Sequence, residues 1–374
     1  MRIIVDFQPL IHECIPASAL KFIVHCHQKI LQTNAKDEWI FIADKSYLDN
    51  ETLKEIPAEN ILFKKIIANQ IGWKFWYDYQ LPSLIKKNKT DLLITTGGIS
   101  SSTNVPQYAW MIGLKENSHS KKVKGYINLY KKRFQKTIGQ SKAIFTVSEK
   151  SKQSIISKTN VDKEKIILLK AAADENVKPL SWTEKESIKT KYAAGKEFFS
   201  VAVDDLQQNL IDILKAFSQF KKRQQSNMQM VFVGNGLKND IDFLSKLDTF
   251  KYRKDVHFYD SLSEIENQKI ISASYALLYP FTDDEVGAVV LDAFKANIPV
   301  IISEKSSLHE IAGDAALYVD AENIESLANQ MMVLYKDEKL RSGLITKGEQ
   351  KWQEFSWKKT EKKLMDIIVQ RMKD

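Results

Sequence analysis

Two aspartates that flank a short helical pattern could together hold a polar ligand. Asp284 and Asp292 are separated by seven residues in the stretch DDEVGAVVLDAF, which runs on through KANI into the strand-like PVIIS. Gly287 permits a tight turn or the close approach of a ligand. A helix that begins near this glycine would direct the amides of Gly287, Ala288 and Val289 toward an anion, helped by the helix dipole.

The spacing gives the two carboxylates different tasks. Asp292 would lie one turn after Ala288 on the same helix face, leaning toward the helix N-terminus. There it could accept hydrogen bonds from the paired hydroxyls of a ribose, while Asp284, before the helix, could contact a sugar. On spacing alone, solvated acids at a helix start are the commoner explanation, because negative charge is favoured there.

The elements that must position these residues alternate between strand-like apolar runs and helical periodicity. Such alternation indicates parallel strands joined by helices. The alternation of strand and helix patterns stops in the polar stretch 170–197, which we interpret as a linker, and resumes after it. The sequence predicts two tandem α/β domains, with ligands at the carboxyl ends of the strands and in the cleft between the domains. The predicted strands are 1–7, 39–43, 60–63, 91–95, 143–147, 165–169, 198–203, 228–233, 256–258, 276–279 and 299–303.

Composition bounds the class of protein. The chain has 374 residues, of which 44% are hydrophobic, enough for two domains with real cores. The net charge of +8 suits anionic partners such as nucleotide phosphates or anionic lipid. The chain has no apolar run long enough to span a membrane and no signal-peptide pattern, so a cytoplasmic protein with Cys14 and Cys26 as reduced thiols is expected.

Five stretches, in one order along the chain, carry a family resemblance. They are IFTVSEKSKQSII (144–156), MVFVGNGL (230–237), LYPFTDDEVGAVVLDAFKANIPVI (278–301), SSLHEIAGDAALYVD (306–320) and FSWKKT (355–360). Together they resemble the retaining glycosyltransferases of the GT-B fold, family GT4 or "glycosyl transferases group 1". The third stretch corresponds to the family's acidic signature, two glutamates separated by seven residues.

The resemblance implies a fold and an activity. The fold would be α/β of the GT-B type, with two Rossmann-like domains and an interdomain cleft. The first domain (1–170) would bind the acceptor, the second (171–356) the nucleotide-sugar, and a terminal helix (357–374) would pack back on the first. The activity would be transfer of a hexose, with retention, from a nucleotide-diphosphate sugar to a glycan or lipid-linked acceptor in cell-surface polysaccharide synthesis. No cofactor or metal is implied.

The same resemblance assigns site residues and also exposes departures. Asp284 takes the place of the first acid, near the donor sugar and the chemistry, and Asp292 takes the place of the second, on the ribose. Gln207 and Gln208 stand where the family has an Arg-Lys pair that neutralises the diphosphate, and a glutamine carries no charge. Three further motifs depart, at Ala17-Ser18-Ala19, Met111-Ile112-Gly113 and Ala171-Ala172. The alternative is therefore a catalytically inactive GT-B protein that binds glycan or a partner.

Two other features concern partners. KKVKGYINLYKKRFQK (Lys121 to Lys136) holds seven Lys or Arg and no acid. It predicts either a solvated basic helix or a patch that rests on anionic membrane, at the inner face, whereas no module for nucleic acid accompanies it. The aromatic cluster within 73–79 is expected to be core. His25-Cys26-His27 and Asp240-Ile241-Asp242 are not expected to bind metal.

Overall fold

A computed structural model describes residues 1–11, 14–33, 36–45, 53–112, 121–203, 210–234 and 241–373 of the chain. The chain divides into two compact units. Unit 1 comprises Met1–Ala171 and Trp357–Asp374, and unit 2 comprises Ala172–Ser356. No helix among the described residues is both long and apolar enough to cross a membrane.

Unit 1 is built on a parallel sheet. Its strands β1–β7 are Arg2–Asp6, Glu38–Ala43, Ile61–Phe63, Leu92–Thr95, Gln107–Trp110, Ser141–Thr146 and Ile166–Leu168. Its helices α1–α6 are Gln8–Ile11, Ala17–Thr33, Gln70–Phe75, Leu81–Lys87, Lys121–Gln140 and Glu149–Lys158, and a π-helical turn, Trp76–Gln80, joins α3 to α4. The strand order is β3-β2-β1-β4-β5-β6-β7, so the order reverses between β1 and β4.

Unit 2 repeats this plan. Its strands β8–β13 are Phe198–Val203, Gln229–Gly234, Val256–Asp260, Ala276–Tyr279, Val300–Ser303 and Ala316–Val319. Its helices α7–α14 are Trp182–Tyr192, Leu210–Gln224, Ile241–Asp248, Glu264–Ala273, Ala288–Lys295, His309–Ala312, Ile324–Lys336 and Glu338–Trp352. The order β10-β9-β8-β11-β12-β13 is that of a Rossmann fold, and it reverses between β8 and β11.

The interpretation of 170–197 as a linker is wrong for its second half, which forms α7. Ser181 caps this helix: its hydroxyl accepts from the Glu184 amide, and the Glu184 carboxylate accepts from the Ser181 amide. Only two residues of α7, Lys189 and Tyr192, are buried. Apolar periodicity therefore could not reveal the helix, whereas the capping sequence S-W-T-E could have done so.

The aromatic cluster of unit 1 is mostly core, as the sequence predicts. Trp73, Trp76 and Tyr77 are fully buried, and the rings of Trp73 and Tyr126 meet edge to face at 4.7 Å between centroids. Phe75 and Tyr79, by contrast, remain exposed to solvent. One helical segment therefore has an inner aromatic face and an outer one.

The last helix of the chain, α15 (Trp357–Lys373), packs within unit 1. The ring of Trp357 lies 4.0 Å from that of His25, between centroids, and the Thr360 hydroxyl donates to the carbonyl of Lys170. His27 is buried among aromatic rings, with its Nδ1 2.7 Å from the Ile23 carbonyl oxygen. Among the described residues, no group of three or more His, Cys, Asp or Glu is arranged to hold a metal ion.

Two buried titratable groups give unit 1 opposing responses to pH. Burial raises the pKa of Asp6 to about 6 and lowers that of His27 to about 4, from ordinary values of 3.8 and 6.5. The folded state therefore favours protonated Asp6, so its contribution to stability is lost as pH rises from about 4 through 6. The contribution of neutral His27 is lost as pH falls from about 6.5 through 4. Each effect is about 3 kcal/mol, so they largely offset each other in this range.

Asp6→Asn should reveal the effect of His27 on the pH dependence of stability. Without the aspartate, we expect the free energy of unfolding to fall clearly between pH 6.5 and 4.5, because protonation of His27 is then unopposed. Urea unfolding at several pH values measures this, and Asp366→Asn, an exposed carboxylate of α15, is the matched control. Parallel pH profiles for the Asp6→Asn and wild-type proteins would show that Asp6 does not titrate as proposed.

Candidate functional site

The acidic loop 280–287 lies at the point where the strand order of unit 2 reverses. It follows the carboxyl end of β11, which pairs with β8 on one side and β12 on the other. In parallel sheets of this type, ligands bind in the crevice outside the carboxyl ends of the strands, at the reversal. The predicted site residues of this loop and its helix therefore stand where the topology favours a ligand.

The carboxylate of Asp284 is buried and binds the loop itself. Asp284 is only 5% exposed to solvent. Oδ1 accepts from the Val286 amide at 2.8 Å, and the Gly287 amide lies 3.3 and 3.2 Å from Oδ1 and Oδ2. The Tyr279 hydroxyl donates to Oδ2 at 3.2 Å. Both oxygens thus have donors from the protein, and the carboxylate fixes the turn into α11.

This geometry explains why the chain carries aspartate at 284, where the resemblance leads one to expect glutamate. The bond from the Val286 amide, two residues on, is the contact that an aspartate side chain makes in an Asx turn. A glutamate would place its carboxylate one methylene too far for the same contact in a buried space. The main chain of the loop is held as well, because the Ser307 hydroxyl donates to the Asp284 carbonyl at 3.3 Å.

Gly287 is required by both conformation and space. Its φ of 68° and ψ of 21° place it in the left-handed region, directly before the first residue of α11. A Cβ added here would lie 2.4 Å from Cδ1 of Ile311 and 2.8 Å from Cδ2 of Leu308. The turn can therefore pack against α12 and the residue before it only with glycine at this position.

Ala288 and Val289 form the first turn of α11, and both are half-buried. The carbonyl of Gly287 already accepts from the amides of Val290 and Leu291, each at 3.2 Å, so the helix starts regularly. The amides of residues 288 and 289 precede these bonds and belong to the orphan donors of a helix N-terminus. They are the groups that could meet an anion, whereas the Gly287 amide, which was expected to join them, is already bound by the Asp284 carboxylate.

Asp292 holds the segment that enters unit 2. Its Oδ1 accepts from the Asp174 amide at 2.7 Å, while Asp292 itself remains half-buried. Lys295, one turn on, donates from Nζ to the carbonyls of Asp174 and Glu175 at 2.7 and 3.2 Å. Side chains of helix α11 therefore form hydrogen bonds with the main-chain amide of Asp174 and with the carbonyls of Asp174 and Glu175.

The structure brings five of the predicted site residues together, namely Asp284, Gly287, Ala288, Val289 and Asp292, on one loop and one helix. Gln207 and Gln208 lie outside the described residues, as do Gly113 and Asp240. Sequence reasoning missed Tyr279, Asp174 and Lys295. Only Lys295 could have been found from sequence, because it follows Asp292 by three residues and therefore lies on the same helix face.

Comparisons with known proteins agree with this picture. Residues 183–351 match the sequence model of the glycosyl transferases group 1. The O-antigen chain mannosyltransferase B of Escherichia coli is 21% identical over 285 residues, 75% of this chain and 71% of that protein. The O-antigen chain mannosyltransferase RfbU of Salmonella typhimurium is 25% identical over 190 residues, 51% of this chain and 50% of its own.

Solved structures extend the likeness over nearly the whole chain. WaaG, a glycosyltransferase involved in lipopolysaccharide biosynthesis, superposes with a TM-score of 0.75 at 13% identity, over 98% of this chain and 99% of that one. Anabaena HepE, solved with UDP and glucose, gives 0.72 at 14% identity, over 99% and 100%. The chain therefore has the GT-B fold, and the predicted resemblance to the glycosyl transferases group 1 is confirmed.

Gly287→Ala tests the fit of the loop. The added methyl group has to occupy space filled by Ile311 and Leu308, with φ in a region that alanine resists, so we expect a loss of about 1–3 kcal/mol in the free energy of unfolding. Gly343→Ala, in the middle of α14 where a Cβ meets nothing within 4 Å, is the matched control and should gain up to about 1 kcal/mol. Equal stability changes for the two variants in chemical denaturation would contradict the fit described.

Proposed function

We propose that this protein is a retaining glycosyltransferase that moves a hexose from a nucleotide-diphosphate sugar to a glycan or lipid-linked acceptor. The observation that carries the proposal is the Asp284–Gly287 turn into α11, at the strand-order reversal of the unit that matches the family model. The place of the reaction would be the synthesis of cell-surface polysaccharide of the O-antigen or lipopolysaccharide type. Both curated relatives are named mannosyltransferases, so mannose is the first hexose to test.

The residues of the site would bind the donor and stabilise the leaving group through groups that are already in place. The amides of Ala288 and Val289, with the helix dipole behind them, would face the diphosphate. Asp292 would accept from the ribose hydroxyls while keeping its bond to the Asp174 amide. As the bond between the sugar C1 and the phosphate oxygen breaks, the leaving diphosphate gains negative charge, which donors already in place would stabilise. The acceptor hydroxyl would pass its proton to the leaving diphosphate oxygen and bond to C1 on the face that the diphosphate leaves.

Asp284 would act in a different way from the one its place in the signature implies. Its oxygens already accept from the Val286 and Gly287 amides and the Tyr279 hydroxyl. Its role would be to hold the turn in the position that the donor sugar needs. This keeps Asp284 essential to the site as a positioning residue. Direct contact between its carboxylate and the sugar would first require those bonds to open.

The alternative is a GT-B protein without activity, which binds glycan or assists a partner. Uncharged glutamines at 207 and 208 favour it, because each lost charge-assisted contact to a diphosphate costs about 1.5–3 kcal/mol. The tightly held loop, the glycine with no room for a side chain, and the family match over 183–351 favour the enzyme.

Thermal unfolding with nucleotides decides whether the donor site works. Saturation at 100 times Kd stabilises a protein by about 2.7 kcal/mol, so we expect UDP or GDP, and the matching sugar nucleotide, to raise the Tm at millimolar concentration. Asp292→Asn should remove most of the shift. The asparagine can still accept from the Asp174 amide, so the fold is kept while a charged acceptor for the ribose is lost.

Asp248→Asn, an exposed carboxylate of α9 in the same unit, is the control and should keep the full shift. A full shift in the Asp292→Asn protein would remove Asp292 from the donor site. If none of the nucleotide diphosphates shifts the melt of the wild-type protein, the inactive alternative replaces the enzyme.

We further propose a peripheral contact between unit 1 and the inner face of an anionic membrane. Helix α5 carries the basic run of residues 121–136, and its exposed side chains include those of Lys121, Lys124, Lys131, Lys132 and Lys136. Beside it lies an apolar stripe at four-residue spacing: Ile67, Ile71, Phe75 and Tyr79, exposed by 72%, 80%, 50% and 61%.

The basic helix and the apolar stripe form one surface, because α3 and α5 pack side by side. The amide nitrogen of Gln70 lies 2.6 Å from the position of a Cβ built on Gly125, and Arg133 binds both oxygens of Asp78 at 2.6 and 2.7 Å. Large apolar side chains beside lysines suit the headgroup region of an anionic bilayer. A lipid-linked acceptor would be found at that surface.

Vesicle sedimentation tests the membrane surface. Ile71→Ser with Phe75→Ser should weaken binding to vesicles rich in phosphatidylglycerol at least about tenfold, since each apolar side chain contributes about 1.5–3 kcal/mol when fully buried. Lys124→Gln with Lys131→Gln should weaken it too, and more so at low salt.

The matched control is Ile241→Ser with Ile265→Ser, two exposed apolar residues of unit 2, which should leave binding unchanged. Equal losses in the control and test variants, or no binding by the wild-type protein at low salt, would exclude the membrane surface.

A further inference from the structure

A cavity of about 210 Å³ lies at the amino-terminal end of the unit 2 sheet. Its walls include Glu197, directly before β8, and Tyr275, directly before β11. These two strands are neighbours, and the acidic loop follows the carboxyl end of β11. The cavity is therefore separated from the acidic loop by the length of a strand, about 13 Å for the four residues of β11.

Three cations line this cavity and only one carboxylate, Glu197, joins them. Lys189 is buried and forms ion pairs with Glu197 and, at 2.9 Å, with Glu186. Arg341 places its guanidinium over the ring of Tyr275, with its carbon 4.4 Å from the ring centroid, and donates from one arm to Glu338 at 3.2 Å. The lining residues thus carry a formal charge of +2, and Glu186 and Glu338, which are not part of the lining, pair with Lys189 and Arg341.

Lys185 is the cation whose charge is least compensated. Burial lowers the pKa of Lys185, and the positive charges of Arg341 and Lys189 lower it further, against an opposing effect of Glu197. Arg341 and Lys189 therefore lie close enough to Lys185 to repel its charge in a partly desolvated space. Lys189 and Arg341 already have carboxylate partners, so Lys185 is the cation that an entering anion would stabilise most.

Arg341 adds an unsatisfied donor. Its Nε is buried and has no acceptor among the described residues. Buried polar groups are nearly always paired, and an orphan donor beside a cavity is commonly explained by a water or an ion. A guanidinium is planar and presents its N–H groups as a rigid fork, which suits the oxygens of a phosphate.

We propose that this cavity is a binding site for a phosphate group, separate from the donor site, with Lys185 and Arg341 as its principal ligands. The occupant is either inorganic phosphate or the phosphate of a small sugar phosphate, both of which offer three or more oxygens to the cationic lining. The bound anion would bridge α7 and α14. Because α14 packs on α11, with Gly348 against the ring of Phe294, the site is connected to the helix that follows the acidic loop.

Thermal unfolding in sodium phosphate, against sodium chloride at matched ionic strength, tests the site. The wild-type Tm should rise with phosphate concentration and saturate. Lys185→Gln and Arg341→Gln should each raise the apparent Kd for phosphate at least about tenfold, as expected for loss of one charge-assisted contact. Arg341→Lys keeps the charge but loses the planar fork, and should lie between the Arg341→Gln and wild-type proteins.

The controls separate this site from general charge effects and from the donor site. Lys215→Gln and Arg223→Gln remove cations of α8 in the same unit and should keep the wild-type response. Asp292→Asn should also keep it, while Lys185→Gln should keep the response to nucleotide diphosphates. Failure of this site and failure of the donor site are therefore distinguishable.

Glucose 6-phosphate identifies the occupant. Tighter binding than inorganic phosphate, lost in both glutamine variants, supports the site with a sugar phosphate in it, and equal binding supports it with free phosphate. No saturable phosphate response in the wild-type protein, or a full response in both Lys185→Gln and Arg341→Gln, would overturn the proposal.

Discussion

One buried carboxylate determines the shape of the candidate donor site. Asp284 collects the amides of Val286 and Gly287 and the Tyr279 hydroxyl, and so fixes where α11 begins. An unpaired carboxylate at 5% exposure would be costly, so these bonds are obligatory for the fold of the loop. The direction of the helix N-terminus, and with it the placement of the Ala288 and Val289 amides, follows from this one group.

Helix α11 has a second structural task, which connects the site to the start of unit 2. Asp292 and Lys295 hold the amide and carbonyls of Asp174 and its neighbour. Ala171 and Ala172, where the chain departs from the family motif, are both buried. The entry segment is thus fixed by apolar packing and by α11. Asp292, which the sequence predicts as a ribose ligand, therefore binds the main chain of the entry segment.

The alternation of apolar runs was enough to predict an α/β fold, and the predicted bounds of β8 and β11 coincide with the observed ones. Elements with little apolar periodicity escaped prediction. Helix α14 buries only Leu344 and Gly348, and α7 buries only Lys189 and Tyr192. At the site, sequence placed Asp284 before the helix but could not show that its oxygens are occupied. That depends on Tyr279 reaching back across the loop, a contact set by tertiary packing.

In the proposed enzyme, the glutamines at 207 and 208 would shift the demands on the rest of the donor site. If the donor binds at the acidic loop, charge that develops on the leaving diphosphate has no arginine or lysine from that segment to meet it. Because this charge grows as the bond breaks, loss of such a contact weakens transition-state binding more than ground-state binding, so kcat falls and KM is not the only constant affected. The amides at the start of α11 would then supply a larger share of the stabilisation. They carry no mobile side chain, so their contribution depends entirely on how rigidly Asp284 and Gly287 hold the turn.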